Sequence, residues 1–167
     1  MIDPVAPTAK LLFAHPAHFI ALGGGAGLSP TAPGTVGTLL AFPFFFLLQP
    51  YLTLWQWLGL LVTLFAVGVW ACEVTGKSLN ALGHHEDHGG MVWDEVVAFL
   101  LVLVFTPDDF TWQVFAFLLF RFFDIVKPQP IRHFDKTMKG GLGVMFDDIL
   151  AAFYALLCLA VWKAVMA

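Results

Sequence analysis

Hydrophobic residues in this chain come in long unbroken runs, separated by short segments rich in Pro, Gly and charge. Two uncharged stretches have the length of a membrane span: 54–72, and 149 to the C-terminus, where Lys163 lies close enough to the end to snorkel to an interface. Three shorter runs accompany them: 36–52, interrupted by Pro43 and Pro50; 96–107; and 110–123, with Arg121 near its end. Gln49-Pro50 and Thr106-Pro107-Asp108-Asp109 are turn signals that fold these runs into two hairpins, and Asp108 is placed to cap the helix after it. Extended into their polar flanks, as 91–105 and 110–126, the second pair reaches about 23 to 25 Å, which spans a locally thinned bilayer. Neither strand alternation nor an internal repeat is evident. The pattern therefore predicts an all-α, polytopic membrane protein of four to five short helices in a single domain.

This folding returns the chain to one side three times, so that 23–38, 73–95 and 127–148 share a face. Lys10, Lys77, Lys127, Arg132, Lys136 and Lys139 fall on it and Lys163 alone on the other, which makes the shared face cytoplasmic. The acidic turn at Asp108 and Asp109 then faces outward.

Composition agrees with lipid as the solvent. Of 167 residues, 59% are apolar and 12% charged, with eighteen Phe and six Trp, more apolar surface than a soluble domain of this size can cover. The net charge of -4 is too slight to indicate a partner, and no basic run interleaved with aromatics suggests nucleic acid. Cys72 and Cys158 lie in apolar stretches without ligand spacing and read as buried free thiols. Lys10 precedes a modest apolar patch broken by His15, Pro16 and His18, so no cleaved signal peptide is expected.

Most of the twelve acidic and eight basic residues fall in two short stretches, 86–95 and 121–148. Ionisable groups beside apolar helices are costly to desolvate and usually pair, bind an ion or line a wet cavity. In the first stretch, Asp94 and Glu95 open an apolar helix, either as metal ligands or as charges favoured by the helix dipole. His84, His85 and His88, followed by glycines, read as a solvated loop rather than ligands. In the second, Arg121, Asp124 and Lys127 recur every three residues, which makes Arg121 and Asp124 neighbours on one helical face. They form either a self-neutralising pair or, with Lys127, donors for a phosphate dianion. Gly140, Gly141 and Gly143 precede Asp147-Asp148 and would let backbone approach a ligand closely. Oxygen ligands without clustered sulfur favour magnesium over zinc. The Gly-rich stretch 23–38 reads as a loop without a P-loop lysine. Its Ser29, Thr35 and Thr38 offer hydroxyls either to a phosphate at a helix N-terminus or to simple capping.

Four motifs in order resemble the phosphatidylglycerophosphatase A family: Ser29-Pro30-x-Ala32-Pro33-Gly34-Thr35-x-Gly37-Thr38; Asp87 leading to Trp93-Asp94-Glu95; Phe120-Arg121-Phe122-Phe123-Asp124-Ile125-x-Lys127-Pro128-x-Pro130-Ile131; and Gly140-Gly141-x-Gly143-Val144-Met145-x-Asp147-Asp148. Small departures, Ala98 and Ala151-Ala152-Phe153 where the family often has glycine, concern helix packing. The resemblance implies magnesium-dependent hydrolysis of phosphatidylglycerophosphate, a phospholipid substrate, to phosphatidylglycerol and inorganic phosphate at the bacterial inner membrane. On that basis Asp94, Glu95, Asp147 and Asp148 are expected to hold magnesium, with Asp124 a further ligand or the residue orienting Arg121. Arg121 and Lys127 would hold the phosphate, and Asp135 is a candidate base or outer-shell group.

Other membrane phosphotransferases carry signatures missing here: a Pro-Ser-Gly-His stretch, an Asp-Gly-x-x-Ala-Arg run, or an Asp-x-Asp-x-Thr start. An ion or metal carrier would place its charges at mid-membrane on broken helices, whereas these gather at one interface.

Overall fold

The computed structural model describes residues 7–81 and 89–166. His84, His85, Asp87 and His88 lie outside them. Among the described residues there are eight α-helices and no strand: α1 (Ala9–Leu12), α2 (Pro16–Ala21), α3 (Pro33–Leu48), α4 (Leu54–Ala81), α5 (Trp93–Phe105), α6 (Phe110–Val126), α7 (Ile131–Thr137) and α8 (Gly140–Met166). The all-α expectation holds. Three helical stretches are long and apolar enough to cross a membrane, Pro33–Tyr51, Leu54–Ala81 and Gly140–Val165.

α5 and α6 form the expected hairpin, yet α5 has only 13 residues, about 20 Å of rise. It is short because its neighbours are protein. Val96, Val97, Ala98, Phe99, Leu100, Val102 and Leu103 are all buried, and α3, α4, α6 and α8 pack around it. A helix apolar on every side and enclosed by other helices has no need to match the bilayer by itself. The outer helices are instead one-sided. α3 buries Gly34, Gly37, Thr38, Ala41 and Phe45 while Leu39, Phe46 and Leu47 point outward. α8 buries Ala151, Ala152, Ala155 and Leu159 while Phe153, Leu157 and Val161 are exposed. Small residues inward and large apolar ones outward are the pattern of helices packed in lipid.

Three expectations are corrected. Pro43 does not interrupt its run, since α3 continues through it to Leu48. Asp109, not Asp108, caps α6, its carboxylate accepting from Thr111 N at 2.9 Å and Trp112 N at 3.2 Å. Asp108 instead accepts from Gln49 Nε2 at 3.3 Å and Gln113 Nε2 at 3.4 Å, which ties the two hairpin turns together at the end away from the charges. The span beginning at 149 starts earlier, because α8 takes in Gly140, Gly141 and Gly143. Gly141 serves helix packing, since a Cβ there would lie 2.6 Å from Glu73 N and closer still to the Val69 carbonyl oxygen, both on α4, while Gly140 and Gly143 line the cavity described below. Of the two cysteines, Cys72 is buried and Cys158 half-buried, both as free thiols.

Candidate functional site

The hairpin connectivity brings the start of α3, the end of α4, the start of α5, the end of α6 and the start of α8 to one end of the bundle. A cavity of about 840 Å³ opens there, lined by Asp94, Glu95, Asp124, Lys127, Asp147 and Asp148 among others. Its floor is the first turn of α5, where Trp93 anchors the backbone by donating its Nε1 hydrogen to Leu64 O at 3.2 Å.

Asp94, Glu95 and Asp148 converge, with one carboxylate oxygen of each lying within 4.8 Å of the other two. Asp94 and Asp148 are buried and Glu95 nearly so. Asp94 Oδ1, Glu95 Oε2, Asp147 Oδ1 and Asp148 Oδ2 are buried without a hydrogen-bond partner among the described residues. Carboxylates packed this closely repel one another and have lost their water, so the arrangement is stable only with a cation or protons among them. An all-oxygen set with unshared lone pairs suits a hard divalent cation.

The cations are divided between two places. Arg121 stands behind the carboxylates, its Nη1 donating to Asp124 Oδ2 at 2.6 Å and Thr38 Oγ1 at 3.2 Å and lying 3.6 Å from Glu95 Oε1. Thr38 passes its own hydrogen to Gly34 O at 2.9 Å. Gly34 and Thr38 of α3 thereby buttress Glu95 and Arg121. Lys127 ends α6 in the left-handed conformation (φ 44°) and faces the cavity, donating to Asp135 Oδ1 at 2.8 Å and to Asp147 Oδ2. Burial opposes its charge, but the Asp147 and Asp135 carboxylates outweigh that and hold its pKa above the ordinary lysine value.

The structure thus gathers Asp94, Glu95, Asp124, Asp147, Asp148 and Lys127 around one cavity, with Asp135 on its wall and Arg121 and Thr38 behind it. Ser29 and Thr35 do not line it; the Ser29 hydroxyl is used locally, donating to Thr31 O at 2.9 Å. One participant was missed in the sequence. Glu73, eight residues before the end of α4, accepts from Gly141 N at 2.8 Å and pairs with Lys77 at 2.9 Å, holding the start of α8 against α4. Its signal was the Glu-x-x-x-Lys spacing at the end of an otherwise uncharged span.

Residues 19–163 match the family model described as Phosphatidylglycerophosphatase A. The chain belongs to the phosphatidylglycerophosphatase A family. Membership confirms the resemblance carried by the four motifs and places the chain among phosphatases. It is 42% identical over 144 residues to phosphatidylglycerophosphatase A of Escherichia coli (strain K12), covering 85% of this chain and 80% of that protein. To phosphatidylglycerophosphatase A of Haemophilus influenzae it is 41% identical over 152 residues, covering 90% and 91%. A Bacteroides thetaiotaomicron protein with the provisional name phosphatidylinositol-3-phosphatase is 40% identical over 154 residues, covering 88% of this chain and 93% of that one. No solved structure matches the chain.

Proposed function

We propose that this phosphatidylglycerophosphatase A family member hydrolyses the phosphomonoester of phosphatidylglycerophosphate, giving phosphatidylglycerol and inorganic phosphate, with magnesium at the Asp94, Glu95 and Asp148 cluster. The convergence of those three buried carboxylates, with oxygens left unpartnered beside a lysine-bearing cavity, is the observation that supports this best. Magnesium typically takes a few carboxylates and completes its shell with waters and substrate phosphate oxygens, which fits a small acidic cluster at the edge of an open space. When bound, it supplies Lewis-acid polarisation of the phosphoryl group and a more acidic water.

The chain's own residues do the rest. Lys127 presents an ammonium to the transferring phosphate, aimed by Asp135 and Asp147 on either side. Arg121 acts from behind, fixing Glu95 and Asp124 through one guanidinium nitrogen, so that two carboxylates keep their places when substrate leaves. Asp147 accepts from Lys127 at Oδ2 and keeps Oδ1 unpartnered beside the cluster, where it could accept from a water.

The same proposal places the protein in the bacterial inner membrane with the cavity on the cytoplasmic side. Support comes from Lys77, Lys127, Lys136 and Lys139 at the cavity end, against Lys163 in the last turn of α8 and the acidic Asp108-Asp109 turn at the other.

The test is phosphate release by protein purified in detergent, with and without magnesium, from phosphatidylglycerophosphate, phosphatidic acid, phosphatidylinositol 3-phosphate and a soluble phosphomonoester. Magnesium-dependent turnover highest on phosphatidylglycerophosphate is expected. Preference for the inositol lipid, or turnover indifferent to chelation, would overturn the substrate or the metal assignment respectively.

A further inference from the structure

The cavity is larger than the acidic cluster needs, and part of its remaining wall is basic. Lys77, Lys136 and Lys139 line the same space as the carboxylates. Lys77 is engaged by Glu73 at 2.9 Å, whereas Lys136 and Lys139 make no ion pair among the described residues. These two lie three positions apart across the turn from α7 to α8. The turn is held at close quarters. A Cβ at Gly143 would stand 2.7 Å from Met138 C, and the Gly141 amide is hydrogen-bonded to Glu73 of α4. The last turn of α7 also carries Asp135, whose carboxylate is fixed on Lys127. The two ammonium groups therefore sit at the edge of the cavity on a packed turn whose position relative to the acidic cluster is set by three contacts.

Under the phosphatase reading, one phosphate at the cluster would be served by Lys127 and the cation the carboxylates would hold. Two further ammonium groups in the same cavity raise the potential for a second anion, which low-dielectric walls then focus. We propose that Lys136 and Lys139 form a second anionic subsite that takes the phosphodiester of a lipid carrying both a phosphodiester and a terminal phosphomonoester on one headgroup. This rests on the phosphatase reading of the same cavity and adds to it the element that selects the substrate. A lysine ammonium, compact and strongly hydrated, suits a diester with a single negative charge; the dianionic monoester goes to the metal. A lipid whose only phosphate is the monoester leaves the subsite without a partner.

The experiment compares wild type with the double variant Lys136→Gln, Lys139→Gln, and with Lys136→Arg, Lys139→Arg, in neutral detergent micelles so that surface charge plays no part. Phosphatidylglycerophosphate hydrolysis is measured together with inhibition by two soluble probes, glycerophosphoglycerol, a diester, and inorganic phosphate. The expected result is a rise of about tenfold in KM with kcat within about twofold, and a matching weakening of inhibition by the diester. Inhibition by inorganic phosphate, which reports the monoester site, stays in place, and the arginine pair restores the diester effect. Equal weakening of both inhibitors, an unchanged KM in the glutamine variant, or a wild type inhibited by phosphate but not by the diester would overturn the subsite alone. Absence of phosphate release from phosphatidylglycerophosphate by folded wild type would overturn the parent reading, and the subsite with it.

Discussion

Gly34 gives the sharpest test of the buttress behind Glu95. It lies in the first turn of α3, where a methyl group would meet Glu95 Cδ and Arg121 Nη2, each at 3.2 Å, and Glu95 Oε1 at less than that. The obstructing atoms are the ends of flexible side chains, so Gly34→Ala should fold. The gain of about 0.5–1 kcal/mol from replacing a helical glycine offsets part of the crowding. Ordinary contact, however, requires the Glu95 carboxylate to retreat by about 1 Å, and a displacement of that size costs roughly a hundredfold when catalytic groups must stay in register. We therefore expect kcat/KM for phosphatidylglycerophosphate to fall by about a hundredfold, and the magnesium concentration for half-maximal activity to rise. The melting temperature in detergent should move by only a few degrees. Gly59→Ala is the control, because a Cβ there has nothing within 4 Å; it should leave activity intact and stabilise α4 slightly. A Gly34→Ala enzyme within about threefold of wild type, or an equal loss in Gly59→Ala, would refute the reasoning.

Three further outcomes follow from the same geometry. Asp148→Asn or Asp94→Asn should abolish magnesium-dependent turnover by at least about a hundredfold. Without magnesium the same change should raise the melting temperature, because it removes a buried charge from a repelling cluster; thermal melts with EDTA and with magnesium read both, and magnesium should stabilise wild type but not the variant. Gly141→Ala sets a methyl against α4 backbone, which cannot swing aside as a side chain does, so it should destabilise by about 1–3 kcal/mol in denaturation and lower activity with it. His18 is buried on α2 with its Nδ1 2.9 Å from Thr75 Oγ1, and burial, aided by nearby His15, lowers its pKa. Its neutral form is therefore the folded one: the contribution to stability is complete above the ordinary histidine value of about 6.5 and is lost as pH falls through the lower folded value. Melting curves across that acid range should flatten in His18→Gln.

The apolar runs and turn prolines were legible because membrane helices must satisfy their backbone internally and write their length into the sequence. The five long helices fall where the runs lie, and Asp94, Glu95, Asp147 and Asp148 stood out because charge is rare beside such runs. The stretch 127–148 was harder. Glycines signal a loop by local rules, yet Gly141 sits inside α8 because Val69 and Glu73 approach it from α4, a contact between residues some seventy positions apart that no local pattern encodes. For the same reason Arg121 reads equally well as a phosphate ligand or an internal pair; only the packing of α3 behind it, through Gly34 and Thr38, puts it at the back of the cluster. Ser29 and Thr35 looked equivalent to Thr38 in sequence, but Thr38 alone of the three is on the buried stripe of α3 facing α5.

The 13 residues of α5 stand between the 28 of α4 and the 27 of α8. At about 1.5 Å per residue the flanking helices are roughly twice as tall as the one that carries Asp94 and Glu95 at its start. Under the proposed function, the acidic cluster is then the floor of a well walled by taller helices. A phospholipid substrate in the leaflet would then have to lower only its terminal phosphate into the well, its acyl chains staying in the hydrocarbon. On that reading bilayer thickness becomes a setting of the enzyme: longer-chain lipids raise the headgroup plane relative to the floor and lengthen the reach that each phosphate must make.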